Sequence, residues 1–290
     1  MSTTDHVPEA DADLTLPDGR TLSYALLGGT GSERTVVVLD GPGSRGLARA
    51  AADAAAAKGV RLVAPDRPGF LRSTPRPGRT FDDVAADVLA LCDELGAKRF
   101  GVLAQSGGTP YALALAHAAP ERVTRLAFVG GITPLGERGA LKGVGGPMRG
   151  LFLCSRRMPF LLGPLVRAAA RNVAKDPGAA ARRFAKAAPP RDQEILGQPR
   201  YWDVHERTTA EAMTSPDTFA EEARLLARPW TVEPVAMPVA VWVGERDLTH
   251  PPVMAHRLAE RLGGAPVTVV PGAATFGMVP ALRNVLDYVA

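Results

Sequence analysis

The sequence predicts an α/β fold with a mostly parallel sheet of about eight strands, helices on both faces and a helical insertion. Three observations support this prediction. Short runs rich in Val, Ala and Leu recur along the chain, as expected for strands that are buried on both faces. Segments with helical spacing of apolar residues alternate with these runs. One stretch, residues 131–230, breaks the alternation and contains little strand-like sequence.

The predicted strands are short apolar runs that end at turn residues. The first two flank the turn Pro17-Asp18-Gly19 and are expected to form a hairpin. The fourth ends in Pro65-Asp66-Arg67-Pro68-Gly69, a cluster typical of a turn. The predicted strands cover 13–16, 21–27, 35–39, 61–64, 99–104, 123–129, 239–243 and 267–270.

Five predicted helices connect these strands. The clearest begins at Thr80, which is expected to cap it, and carries Val84, Val88 and Leu91 at helical spacing. The predicted helices cover 45–58, 80–95, 108–119, 252–262 and 279–289.

The stretch 131–230 is rich in Ala, Leu and Arg and is broken repeatedly by proline, so it predicts a helical lid over a core formed by 1–130 and 231–290. Its part 131–200 contains 13 Lys or Arg residues against 4 Asp or Glu. This excess favours either attraction of an anionic substrate or an acyl carrier, or simply a solvated basic face.

Length and composition limit the possible functions. A chain of 290 residues can bury a large core, and 46% hydrophobic with 22% charged residues is typical of a globular protein. The net charge of +4 is a mild excess, without a basic run interleaved with aromatic residues, so no nucleic-acid partner is expected. No uncharged apolar run approaches the roughly 20 residues of a membrane span, and no membrane partner is expected.

Cofactor chemistry has no support in the sequence. No phosphate-binding lysine loop, dinucleotide-binding glycine pattern or His/Cys set with metal spacing occurs, so we expect neither a cofactor nor a metal. Cys92 and Cys154 are too few for a disulfide framework, and the N-terminal residues lack the apolar segment of a signal peptide. We therefore expect a cytoplasmic monomer or homodimer that acts on a small-molecule substrate.

The strongest chemical signal lies in residues 100–115, where a buried strand is followed by a tight turn at Ser106 and a helix. Ala104 and Gly108 supply the small residues that a sharp strand-to-helix turn needs. Such a turn exposes the serine hydroxyl, and the Gly107 N–H at the start of the helix can stabilise an oxyanion. The alternative is an ordinary Ser-Gly-Gly turn that caps a helix.

A set of motifs resembles the α/β-hydrolase superfamily over most of the chain, especially bacterial members with an HGTPGSR-type loop after the third strand. The resemblance implies a nucleophile at Ser106 and a catalytic acid at Asp247, although Asp247 can also serve as a structural turn carboxylate. The matching segments are Pro42-Gly-Ser-Arg45, 61–70, 106–113, Arg228-Pro-Trp230, 241–247 and Pro251-Pro252.

The chain departs from this resemblance at the catalytic base. Thr275 takes the position of the triad histidine, and no histidine follows His256. Without a base, a serine hydroxyl is a poor nucleophile. His250, three residues after Asp247, is one candidate replacement; otherwise it only leads into the following helix. His205 in the insertion is the second candidate.

A second departure lies in the loop after the third strand, where Leu39-Asp40 replaces the family's His-Gly. This loop normally supplies the second oxyanion donor, which would here be the Gly41 N–H, beside Leu39 in the substrate-binding region. An inward-pointing Asp40 would repel an oxyanion, or act as an acid or base in proton transfer. Alternatively, Asp40 caps the loop by accepting a nearby backbone N–H.

Three functions remain open. The first is a hydrolase or acyl transferase with an impaired or rewired triad, acting on a small lipophilic ester, lactone or acyl/polyketide-like metabolite. The second is a lyase, cyclase or isomerase of secondary metabolism that uses Asp40, Ser106 or Thr275 for polar contacts. The third is a ligand-binding pseudoenzyme. Candidates to line an apolar pocket, unless they only pack in the core, are Phe152, Phe160, Trp202 and Trp230.

Overall fold

The computed structural model describes residues 9–41 and 43–290. In this part of the chain, eight strands form one sheet. The strands are β1 (Ala10–Thr15), β2 (Thr21–Gly28), β3 (Thr35–Leu39), β4 (Arg61–Pro65), β5 (Phe100–Ser106), β6 (Val123–Gly131), β7 (Val239–Gly244) and β8 (Val267–Val270). Their order is β1-β2-β4-β3-β5-β6-β7-β8. The pairs β1–β2 and β2–β4 are antiparallel, whereas all others are parallel, which confirms the predicted mostly parallel sheet.

Several strand boundaries differ from the predicted ones by one to three residues. β1 begins at Ala10 rather than residue 13, because its backbone pairs with β2 along its whole length while its mostly exposed side chains give no apolar signal. β5 continues past residue 104 to Ser106, because Ser106 still pairs with Gly131 at the end of β6. The strand therefore carries Ser106 to the carboxyl edge of the sheet.

The helices that cover the sheet follow the predicted pattern. The helix Phe81–Glu94 begins with the capping box that Thr80 predicts, in which Thr80 and Asp83 exchange side-chain and backbone hydrogen bonds. The last predicted helix is shorter than expected, since a 3₁₀ helix (Phe276–Ala281) containing Pro280 precedes it. The covering helices are α1 (Gly46–Ala57), α2 (Phe81–Glu94), α3 (Thr109–Ala118), α10 (Pro252–Arg261) and α11 (Leu282–Val289).

Between β6 and β7 the described chain contains six helices and no strand. Each has a proline at its first or second position, so the prolines start these helices as well as separating them. No helix among the described residues combines the length and apolar character needed to cross a bilayer. The six helices are α4 (Gly146–Arg157), α5 (Pro159–Lys175), α6 (Pro177–Lys186), α7 (Pro190–Leu196), α8 (Pro199–Glu211) and α9 (Pro216–Ala227).

The core lies on the two faces of the sheet. Residues of α2, α3 and α10 pack on one face, and residues of α1 and α11 pack on the other. The closest approach near the carboxyl edge is between Gly108 and β3, where a Cβ on Gly108 would lie 1.9 Å from the Leu39 carbonyl oxygen. Only glycine permits this approach, which sets α3 directly against β3.

This contact makes a prediction about stability. Gly108→Ala should lower the free energy of unfolding by roughly 1–3 kcal/mol, because the added methyl group forces β3 and the start of α3 apart. Urea unfolding measures the difference. Gly150→Ala is the matched control, because Gly150 lies on an exposed turn of α4 with no atom within 4 Å of the place that the new methyl group would occupy, and alanine there should be neutral or slightly stabilising. Equal stability of Gly108→Ala and wild type would contradict the assigned contact.

Candidate active site

Ser106 ends β5 in a strained backbone conformation. Its φ is +50°, a left-handed value that non-glycine residues rarely adopt and that often occurs at functional sites. The turn is fixed because Thr109 Oγ1 donates to the Ser106 carbonyl oxygen at 2.8 Å and accepts the Ile132 N–H at 3.0 Å. Ser106 is half-buried, and its hydroxyl has no hydrogen-bond partner among the described residues. The hydroxyl is therefore available to a bound molecule.

The two predicted oxyanion donors differ in availability. Gly107 lies between β5 and α3, and in the described part of the chain its N–H donates to no acceptor. Gly41 borders the serine, since a Cβ on Gly41 would lie 3.9 Å from Ser106 Cβ. Its N–H, however, donates to Asp40 Oδ1 at 2.7 Å. The expected second donor is thus already engaged. Pro42, the next residue of the motif, lies outside the described residues.

Asp40 caps the loop and the following helix. Its Oδ1 accepts the Gly41 N–H, and its Oδ2 accepts the Leu47 N–H in the first turn of α1 at 2.6 Å. Burial raises the pKa of Asp40 to about 6, although these backbone hydrogen bonds oppose the shift. Both carboxylate oxygens therefore fill the capping role that the sequence left as one alternative. The raised pKa keeps open a role in proton transfer.

Leu39 does not lie where the sequence places it. We expected Leu39 in the substrate-binding region, but its side chain is 1% exposed and packs in the core beneath α3. Leu39 is the last residue of β3, and the alternation of side chains along a strand turns this one toward the helices. The Leu39 side chain is therefore part of the core.

Arg67 forms hydrogen bonds to the backbone of the same loop. Its Nη1 donates to the Asp40 carbonyl oxygen at 2.8 Å, and its Nη2 donates to the Gly41 carbonyl oxygen at 3.0 Å. Its Nε lies 3.1 Å from Glu222 Oε1, and its guanidinium lies 4.8 Å from the centre of the Tyr111 ring. The sequence identified Arg67 only as part of a turn cluster, because its partners lie far away along the chain.

Asp247 follows β7 and is almost fully buried. Its Oδ1 accepts the N–H groups of Thr249 and His250 at 2.7 and 2.8 Å. Its Oδ2 lies 3.4 Å from His250 Nδ1 and 3.5 Å from Thr275 Oγ1. Burial favours the neutral acid, but the hydrogen bonds and charge interaction with His250 outweigh it and lower the pKa of Asp247. One oxygen thus holds the turn while the other faces both predicted partners.

His250 is buried with one ring nitrogen toward Asp247 and the other unpartnered. Its Nε2 has no hydrogen-bond partner among the described residues. The ring packs against Gly130, where an added Cβ would lie 2.9 Å from His250 Nδ1. The next residue, Gly131, pairs with Ser106 across β6 and β5. His250 therefore lies beside the end of β6, and β6 pairs with the end of β5 at Ser106. No hydrogen bond joins the His250 and Ser106 side chains in the described structure.

The loop that carries Thr275 is held by a residue the sequence did not identify. Asp192, in the first turn of α7, accepts the N–H groups of Ala274 and Phe276, both at 2.7 Å. Thr275 lies between these two amides, and its hydroxyl faces Asp247 Oδ2. The sequence pattern around Asp192 does not single it out as a site residue, because an acidic residue in a first helical turn ordinarily interacts with the helix dipole.

His205 is held by a backbone carbonyl and by aromatic packing. Its Nε2 lies 3.0 Å from the Ala181 carbonyl oxygen, and burial lowers its pKa. Its ring packs edge-on against Phe276 at 4.8 Å and also contacts Phe184 and Trp202. This packing explains a buried histidine in the insertion without catalysis.

The aromatic candidates do not share one pocket. Phe152 is buried and Trp202 and Trp230 are half-buried, but Phe160 is 73% exposed and cannot line a covered pocket. Within the described residues, no group of three or more His, Cys, Asp or Glu side chains is arranged to hold a metal ion.

Comparison with known proteins places the chain in a family. The model of the α/β-hydrolase fold family matches residues 35–279. The chain belongs to the α/β-hydrolase fold family. One curated relative is the 2-hydroxy-6-oxononadienedioate/2-hydroxy-6-oxononatrienedioate hydrolase 2 of Pseudomonas putida, 40% identical over 111 residues, which are 36% of this chain and 38% of the relative. The chain spans about two-fifths of the length of the curated relatives it matches.

Solved structures of this fold match over almost the whole chain. An α/β-hydrolase fold protein from Nakamurella multipartita is 24% identical, with a TM-score of 0.67 over 97% of this chain and 99% of the other. The enol-lactonase from Burkholderia xenovorans LB400 is 18% identical, with a TM-score of 0.67 over 96% and 99%. At these identities the likeness confirms the predicted fold.

Asp192 should control the order of the Thr275 loop. Asp192→Ala removes the acceptor of two amides, so hydrogen exchange at Ala274 and Phe276 should speed up by at least about tenfold, equivalent to one lost hydrogen bond each. Glu194→Ala is the control, because Glu194 is an exposed acidic residue of the same helix. Unchanged protection in Asp192→Ala would show that the loop holds its position without α7.

Asp40 should make stability depend on pH. Its pKa is raised from 3.8 to about 6, so the folded state binds the proton more tightly than the unfolded chain does. The stabilisation by this group is complete below about pH 4 and is lost as pH rises through about 6, on the order of 2–3 kcal/mol in all. Urea unfolding measures the free energy of unfolding of wild type and Asp40→Asn between these pH values. Asp40→Asn should not show this loss of stability with rising pH, although its stability can differ from that of wild type by a constant amount. If the free energies of unfolding of the two proteins changed with pH in parallel, the pH dependence could not be assigned to Asp40.

Proposed function

We propose that this protein is an enzyme that cleaves small, lipophilic acyl compounds with Ser106 as the nucleophile and the Asp247–His250 pair as the replacement for the usual base. The observation that carries the proposal is the His250 ring. Its Nδ1 lies 3.4 Å from Asp247 Oδ2, and its Nε2 is buried without a partner among the described residues. A serine triad requires this orientation, in which one histidine nitrogen contacts the acid and the other is free to accept the serine proton.

The pair provides a base in the required form. When His250 Nδ1 carries the proton and donates it to Asp247, Nε2 keeps its lone pair and can accept a proton from Ser106. The ionised Asp247 then stabilises the imidazolium that forms. Catalytic hydrogen bonds are often long before substrate binds, so the Ser106–His250 contact would close in the complex.

The reaction would proceed through an acyl-serine. Ser106 Oγ forms a bond to the substrate carbonyl carbon, and its proton passes to His250 Nε2. The carbonyl oxygen becomes an oxyanion that accepts the Gly107 N–H. The bond to the leaving group breaks as His250 returns the proton to it. Water then attacks the acyl-serine, again with His250 as base, and releases the acid and Ser106. Asp40 engages the Gly41 amide, so we expect slow turnover with one strong oxyanion donor.

The substrate class rests on the relatives. One curated relative is by name a 2-hydroxy-6-oxononadienedioate/2-hydroxy-6-oxononatrienedioate hydrolase, and one structural neighbour is by title an enol-lactonase. An ester, a lactone or an acyl/polyketide-like metabolite fits this range. The two cysteines are free and buried, which suits the proposed cytoplasmic location. An acyl carrier is one of the alternatives for the charge of the insertion, and it would have to contact the exposed basic residues there.

A second candidate function is non-hydrolytic. Asp40 has a pKa raised to about 6 and lies in the loop that borders Ser106, so it is suited to proton transfer near neutral pH. Thr275 in place of a histidine suits a site that binds a substrate by hydrogen bonds. A lyase, cyclase or isomerase of secondary metabolism would use these groups without an acyl-serine.

The two candidates predict opposite mutational orders. A fluorophosphonate probe and p-nitrophenyl butyrate hydrolysis report on the serine. For the acyl-serine reaction, Ser106→Ala should abolish labelling and turnover, and His250→Ala should lower both by about 100-fold or more because the base is lost. His256→Ala is the control, since His256 is an exposed histidine of α10. Labelling that survives His250→Ala at the wild-type rate would rule out His250 as the base.

A gain-of-function variant sharpens the experiment. Thr275→His places an imidazole beside Asp247 Oδ2, because Thr275 Oγ1 already lies 3.5 Å from that oxygen. In the His250→Ala background, Thr275→His should restore labelling by at least about tenfold. If Ser106→Ala is nearly silent on the native substrate while Asp40→Asn abolishes turnover, the non-hydrolytic candidate replaces the first. If the wild type and all variants bind a lipophilic metabolite but none converts it, the protein is a ligand-binding pseudoenzyme.

A further inference from the structure

The first turns of α5 expose an unusual amount of apolar surface. Met158, Phe160, Leu161 and Leu165 are 45%, 73%, 39% and 57% exposed. These four, within eight consecutive positions, are most of the exposed large hydrophobic side chains in the described chain. Single exposed hydrophobic residues need no explanation, but a contiguous group of this kind marks an interaction site.

The exposed group forms one face of the helix. Residues 160, 161, 164, 165 and 168 are all apolar and all exposed, and their spacing places them on a common side of α5. The opposite side carries Leu162 and Val166, which are buried against α4 and α9. Because α5 already fills its place in the insertion with its other side, this outer face is available to a partner.

Basic side chains surround the apolar face. Arg156 and Arg157 precede it at the end of α4, and Arg171 and Lys175 follow it on the outer side of α5. All four are exposed, and none forms an ion pair with a carboxylate in residues 9–41 and 43–290. The charge at this surface is therefore available to an anionic partner. Further exposed basic residues on α6 are Arg182, Arg183 and Lys186.

An open cleft of about 520 Å³ adjoins this face at Arg156 and Pro159. Arg224 and Arg228 lie on its wall. The carboxylate of Glu137, the acidic residue of the cleft, is already paired with Arg261 at 2.6 and 2.9 Å. The cleft therefore presents uncompensated positive charge of the kind that binds a phosphate group.

We propose that this α5 surface, formed by Met158, Phe160, Leu161 and Leu165 with Arg156, Arg157, Arg171 and Lys175, binds a membrane rich in anionic phospholipid. The apolar side chains would enter the boundary between headgroups and acyl chains. The basic residues, including those of the cleft, would contact the lipid phosphates. This contact is peripheral and differs from the sequence-based expectation of no membrane partner, which considered only a spanning segment.

Two other occupants suit the surface less well. A second copy of this chain would bring two uncompensated basic surfaces together, and like charges at an interface are unfavourable. An acidic acyl carrier would satisfy the arginines, but it would also have to cover Phe160, which projects with 73% of its surface exposed. A fluid lipid surface accommodates a projecting aromatic side chain without a preformed cavity.

Vesicle flotation tests the proposal with the full chain. Wild type should bind vesicles of phosphatidylcholine with about one-third phosphatidylglycerol, and bind phosphatidylcholine alone at least about tenfold more weakly, because basic residues contribute through lipid charge. Phe160→Ser with Leu165→Ser should weaken binding to the anionic vesicles by about tenfold, since less apolar surface is inserted. Arg156→Gln with Arg157→Gln should weaken it similarly and reduce its dependence on salt.

Matched controls separate this surface from general effects. Arg99→Gln with Arg283→Gln removes the same charge from exposed positions elsewhere and should leave binding within about twofold of wild type. Circular dichroism and urea unfolding check that each variant folds. The proposal is overturned if folded wild type binds neither vesicle, if the Phe160/Leu165 variant binds as wild type does, or if both vesicles bind equally. It is also overturned if these substitutions instead abolish dimerisation or capture of an acidic acyl carrier protein while vesicle binding is unchanged.

Discussion

The geometry of the site depends on a close backbone approach between β3 and the turn after β5. Gly108 leaves no room for a side chain between the start of α3 and the Leu39 carbonyl oxygen. The chain can therefore turn sharply enough to hold Ser106 at φ +50°, and the Thr109 hydroxyl locks that turn to β6. A turn of this kind costs backbone strain, which the surrounding packing must offset. The result is a hydroxyl raised above the carboxyl edge of the sheet.

The helical insertion contributes two buried carboxylates to the loops beside this turn. Asp192 holds the amides on either side of Thr275, and Glu222 lies against Arg67, which in turn holds the carbonyl oxygens of Asp40 and Gly41. A buried carboxylate is costly unless it is paired or hydrogen-bonded, so these contacts resist separation. Movement of the insertion away from the sheet would break both sets of bonds and loosen both loops. The insertion is thus part of the framework that holds these two loops.

Local patterns were enough to predict the sheet, the covering helices, the insertion and the turn at Ser106. Buried parallel strands produce continuous apolar runs, and a sharp turn demands small residues at fixed positions, so both leave a local signal. The side-chain partners could not be predicted in this way. Asp192 is 82 residues from Ala274, and Glu222 lies even farther from Arg67 along the chain. Asp40 is an intermediate case, since capping was one of the alternatives that the sequence left open, whereas the engagement of the Gly41 amide was not predicted.

His250 and Thr275 form one arrangement around Asp247. Asp247 Oδ1 is used by the turn, so Oδ2 is the oxygen left to orient a base. Both His250 Nδ1 and Thr275 Oγ1 are directed at Oδ2. A histidine at both positions would make two imidazoles compete for that oxygen, and only the one bonded to it would have its tautomer fixed. Threonine at 275 donates a hydrogen bond without competing as a base, since a hydroxyl does not accept the serine proton at neutral pH. With threonine at 275, Asp247 is still not an unpaired buried carboxylate, because the amides of Thr249 and His250 donate to Oδ1 while the His250 ring and the Thr275 hydroxyl face Oδ2. The carboxylate is therefore held in place whether or not His250 acts as a base.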